Sequence, residues 1–76
     1  MEVVESQNID GSWDEKNDQL KSKLVDVGLF QESELRGIGR KELTKLIVER
    51  ITHKFPEQVQ KLKLIFAKAN NWVAKN

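Results

Sequence analysis

Apolar positions along the chain fall into three sets with helical spacing, separated by glycines and a single proline. Leu20, Leu24 and Val27 recur at intervals of three and four and so share one side of a first helix. Asp14 or Asn17 can accept the free N–H groups at its start, and Gly28 supplies the left-handed residue that ends it. Leu43, Leu46, Ile47 and Ile51 form a second set, widened by Val48 and Phe55, which predicts a helix from about Arg40 to His53 or Lys54. Phe55-Pro56 breaks that pattern, because proline lacks a backbone donor and restricts the residue before it. Pro56 suits the first turn of a last helix, along which Val59, Leu62, Ile65, Phe66, Ala69, Trp72 and Val73 make one stripe. Between the first two sets, Leu29 and Phe30 are apolar anchors, and Ser33-Glu34-Leu35-Arg36 allows a short helical turn before Gly37-Ile38-Gly39. No stretch of useful length alternates as a strand would. The expected fold is all-α: a small bundle of three main helices with a short fourth, spanning roughly Gly11 to Lys75. Residues 1–10 have no sustained period and are expected as a disordered tail, leaving 11–76 as the single domain.

Seventy-six residues lie near the lower size at which a hydrophobic core outweighs chain entropy without help, so each apolar side chain matters. The composition, 38% hydrophobic and 33% charged, is that of a soluble globular chain. No apolar run approaches the roughly 18 residues of a membrane span, and the acidic start lacks a charged-then-apolar leader. The absence of cysteine excludes disulfides and thiolate metal sites, and a cytoplasmic address is expected, with the nucleus also open to it. The net charge of +1 hides a division: residues 1–38 hold four basic against nine acidic side chains, residues 39–76 nine against three. Either the basic half attracts an anionic partner, or the halves fold together and neutralise one another; the second reading is favoured.

Candidate chemistry is sparse. His53 is the only histidine and falls on the polar side of its helix, where a surface role is the simpler reading. The serines sit in turn or helix contexts that explain them as caps or surface, and the carboxylates show no calcium-loop spacing. No catalytic residues, metal, cofactor or small-molecule substrate are expected.

One stretch, Leu35-Arg36-Gly37-Ile38-Gly39-Arg40-Lys41-Glu42-Leu43, suggests phosphate binding. Two glycines let the backbone turn sharply, and the helix that follows offers unpaired N–H groups and a partial positive dipole beside two basic residues. It resembles the hairpin of helix-hairpin-helix DNA-binding modules, which implies contact of Gly37, Ile38, Gly39, Arg40 and Lys41 with the nucleic-acid backbone, independent of sequence. The simpler alternative has Gly37 ending one helical turn, Gly39 opening the next helix, and the basic side chains solvated.

A second stretch, Gln7-Asn8-Ile9-Asp10-Gly11-Ser12-Trp13, matches the Gln-x-x-x-Gly-x-Trp turn repeated in terpene cyclases, whose many helices and acidic catalytic motif are missing here. Asp-Gly-Ser-Trp also opens the C-terminal domain of proteins that combine a vault-inter-α-trypsin domain with a von Willebrand factor A domain, vault poly(ADP-ribose) polymerases among them. The likeness continues through the leucine-containing first helix and Leu35 to Leu46. It closes on Ile65-Phe66-Ala67-Lys68-Ala69-Asn70-Asn71-Trp72-Val73, which is similar to the family's Lys-Ala-x-x-Trp-aliphatic helix. The middle helix lacks the family's frequent tryptophan and alanine-rich run. The resemblance implies a non-catalytic interaction module from a larger parent, which in the vault polymerases docks onto the major vault protein.

The outer side of the last helix is the remaining candidate. Lys54, Lys61, Lys68 and Lys75 recur every seven residues, and those within the helix follow its flank. Leu64 falls almost opposite the apolar stripe and is expected to be exposed beside Lys68 and Asn71. Leu64, Lys61, Lys68 and Asn71 are therefore the expected protein-binding residues, while Trp13 and Trp72 are both expected inside the core.

Overall fold

The computed structural model describes residues 2–76, Glu2 by its backbone alone. Among the described residues five α-helices follow one another: α1 Glu2–Glu5, α2 Asp18–Asp26, α3 Glu32–Leu35, α4 Arg40–Lys54 and α5 Lys63–Lys75, with a 3-10 turn at Pro56–Gln58. The described residues include no strand, so the fold is an all-α bundle whose longer helices are α2, α4 and α5. Asn17 caps α2, its Oδ1 accepting from the Leu20 N–H at 3.1 Å, and Gly28 follows the helix at φ +78°. Gln31 precedes α3, where Glu34 reaches back to accept from the Gln31 N–H at 2.9 Å.

The core gathers side chains from α2, α4 and α5. Leu43, Ile47 and Ile51 of α4, Leu20 and Leu24 of α2, and Ala69 of α5 are fully buried, and Leu29, Phe30, Leu35, Leu62 and Phe66 close around them. Thr44 joins this set because its hydroxyl oxygen accepts the Trp13 backbone N–H at 3.0 Å, so neither polar group is orphaned.

Three expectations are corrected. The segment expected as a disordered tail belongs to the fold: α1 packs on α2, Val3 is fully buried, and the Val3 carbonyl accepts the Trp13 indole N–H at 2.9 Å. A fully buried indole needs such an acceptor, and the N-terminal segment brings it. The last helix also begins later than the stripe suggests. After the 3-10 turn the chain makes further turns through residue 62, and α5 starts at Lys63. Val59 and Leu62 still point inward, so the apolar period survives the break. Trp13 is fully buried, as expected, whereas Trp72 is only half-buried and lies apart from the residues that pack on the core.

Candidate functional site

Leu64, Lys68, Asn71 and Lys75 stand four, three and four residues apart on α5 and so share a face. Phe66 and Ala69 hold the opposite face in the core, which fixes the rotation of the helix. Leu64 is 81% exposed as a result, and Lys63, Ala67, Lys68, Asn70 and Asn71 around it are exposed too. Trp72 sits at the edge of this face, one turn from both Lys68 and Lys75. Of the four residues expected to bind a partner, α5 therefore brings together Leu64, Lys68 and Asn71. Lys61 is exposed in the turn ahead of the helix. Lys54 ends α4, and its Nζ donates to the Gly28 carbonyl at 3.0 Å, so the seven-residue repeat of lysines is shared between elements.

Charge sharpens the picture. The basic groups of α4 that face the acidic half are paired: Arg40 lies 2.9 Å from Glu15 and 3.2 Å from Asp14. Arg50 pairs with Glu34, donates to the Leu29 carbonyl at 2.9 Å, and stacks 4.4 Å from the Phe30 ring centroid. Among the described residues, Lys61, Lys63, Lys68 and Lys75 make no ion pair. From Gln58 to Asn76 the chain has four lysines and no carboxylate, a signal already in the sequence. Lys63 and the partial exposure of Trp72 were missed there, because Lys63 lies off the seven-residue lysine repeat and Trp72 falls in phase with the apolar stripe.

The glycine loop is arranged differently. Gly37 adopts φ +70° after α3 and Gly39 precedes α4 at φ −83° without a side-chain cap. Ile38 packs on the core, Lys41 is exposed, and nothing would meet a Cβ at either glycine. Arg40, however, points to Asp14 and Glu15, so a phosphate arriving at the loop would meet two carboxylates beside the arginine. Arg40 chiefly, by its hydrogen bond, holds Glu15 below the ordinary carboxylate range, and Asp14 is lowered by the Lys16 backbone N–H and by Arg40.

The Gln7–Trp13 stretch is a clamp between the chain's two ends. Gln7 donates to the carbonyls of Gly11 and Ile65, each at 2.9 Å, and Asp10 accepts from both the backbone and the hydroxyl of Ser12. A groove of about 420 Å³ between α2 and α3 is lined by a mixture of Lys21 and Arg36 with Asp18, Asp26 and Glu32. His53 is exposed on α4, and among the described residues no histidines and carboxylates converge as metal ligands would. No helix among the described residues is long and apolar enough to cross a membrane. No known protein family, curated protein or solved structure matches the chain.

Proposed function

We propose that this chain is a non-catalytic, cytoplasmic protein-docking module whose partner seats on the outer face of α5. The observation that carries this reading is Leu64, left 81% exposed on a helix whose other face is committed to the core and whose lysines have no ion-pair partner among the described residues. A large apolar side chain amid long, wettable ones is the arrangement of an interface anchor with a polar rim. The likeness to the C-terminal domain of vault polymerases supports the major vault protein as the first partner to assay. Purified major vault protein titrated against the isotope-labelled chain is expected to shift α5 amides, and Leu64→Glu to abolish the shifts without lowering the thermal midpoint. Unchanged binding by the variant would count against this face.

A second reading, phosphate binding by Gly37 to Lys41, is favoured by the open surface over both glycines and by the uncapped start of α4. It ranks lower because of the carboxylates at Arg40. The readings separate by salt: contacts with nucleic-acid phosphates release counterions and weaken steeply as salt rises, whereas a packed protein interface depends on salt much less.

A further inference from the structure

Resting on the docking reading above, we infer that the occupant of the α5 face is an acidic amphipathic helix of a protein partner, its apolar stripe laid on Leu64 and its carboxylates set against Lys68 and Lys75. The juxtaposition behind this is one exposed leucine, two asparagines and the edge of an indole within a stretch that has four lysines and no carboxylate. Three of the chain's twelve acidic side chains are engaged with arginines, Asp14 and Glu15 with Arg40 and Glu34 with Arg50, and among the described residues none pairs with Lys61, Lys63, Lys68 or Lys75. The positive potential along α5 is thus left for another molecule. An exposed face of one straight helix is met most economically by a second helix, read as apolar anchors at intervals of three and four with charges alongside. Complementary charge would raise the rate of encounter and exclude basic competitors, while Leu64 supplies the desolvated centre.

Two other classes of anionic surface fit less well. A membrane-surface helix needs a broad apolar side, and here the exposed face carries Asn70, Asn71 and two alanines with a single leucine. A nucleic-acid site gains nothing from an exposed leucine, and this face has no arginine to grip phosphate in a fork.

The test is selection from a displayed library of random helical peptides on the immobilised 76-residue chain, with counter-selection on Leu64→Glu. The expected binders carry apolar residues at intervals of three and four flanked by Asp and Glu, shift amides of α5 in solution, and lose affinity on the order of tenfold against Lys68→Glu/Lys75→Glu. The charge-reversed chain should in turn select basic peptides. Leu64-dependent binders with no acidic bias would overturn the inference and leave the docking reading standing; a library yielding no Leu64-dependent binder would overturn both. Phosphatidylserine vesicles or duplex DNA shifting the same amides more strongly than the selected peptides, or Leu64-dependent self-association in sedimentation, would also overturn it.

Discussion

Gly11 shows how much a single position can be asked to do. Its backbone adopts φ +103°, and a Cβ there would meet the Lys68 carbonyl, with the carbonyl carbon at 2.6 Å. The turn before Trp13 can therefore lie against the backbone of α5 only because the residue has no side chain. Gly37 isolates the first of these demands, since it also has positive φ, at +70°, but nothing lies within 4 Å of its missing Cβ. Gly11→Ala is expected to cost about 2–4 kcal/mol, adding overpacking to strain, and Gly37→Ala only about 1 kcal/mol. Urea denaturation of the two variants decides it; equal losses would mean that the contact with Lys68 gives way easily.

Among the elements, α1 was the least legible in the sequence and α4 the most. Leu43, Ile47 and Ile51 repeat at intervals long enough to define a face, whereas Val3 and Val4 are two adjacent residues without a period. Val3 is held by a partner ten residues on, the Trp13 indole N–H that its carbonyl accepts. The break between Pro56 and Lys63 was hidden for a related reason: its apolar residues stay in phase with α5, so periodicity alone joins them. Thr44 could not be picked out either, since the donor that it satisfies lies 31 residues away. The exposed position of Leu64, by contrast, follows from phase within one helix and was readable. Deleting residues 1–5 should remove about 2–3 kcal/mol, because it exposes the apolar surface that Val3 and Val4 cover and strips the indole of its acceptor. In a Trp72→Phe background, the emission of Trp13 should also move to the red. A true tail would leave both measurements unchanged.

The start of α4 supports a separate prediction, because Arg40 there is masked by Asp14 and Glu15, which come from the segment ahead of α2. Asp14→Asn/Glu15→Gln keeps the Oδ1 that accepts the Lys16 N–H at 2.9 Å but removes both charges from beside Arg40. Titrated with inorganic phosphate at low salt, the parent chain should show no amide shifts from Gly37 to Leu43, and the double variant should show them. Shifts of equal size in both proteins would mean that the carboxylates do not screen the loop and would raise the nucleic-acid reading.

Across the whole molecule the acidic and basic halves are stitched by Arg40 and Arg50, which leaves the surplus lysines on α5 and makes the stitching sensitive to acid. The Arg50 guanidinium, helped by the Gln31 backbone N–H, holds the Glu34 carboxyl at about 2 against an ordinary value of 4.5. Asp10, Asp14 and Glu15 are lowered as well, Asp10 by the hydroxyl and N–H of Ser12. A depressed carboxyl binds its proton in the unfolded chain first, so the stability that it contributes is complete above the unfolded value and drains away as pH falls toward the folded one. For Glu34 that window runs from 4.5 down to about 2. Glu34→Gln keeps the shape and removes the titration. Its deficit relative to the parent, followed by urea denaturation, is therefore expected to be largest near neutral pH and to close as the pH approaches 2. Parallel stability curves through that window would show that Arg50 holds α4 to the α2–α3 connection through Leu29 and Phe30 rather than through its pairing with Glu34.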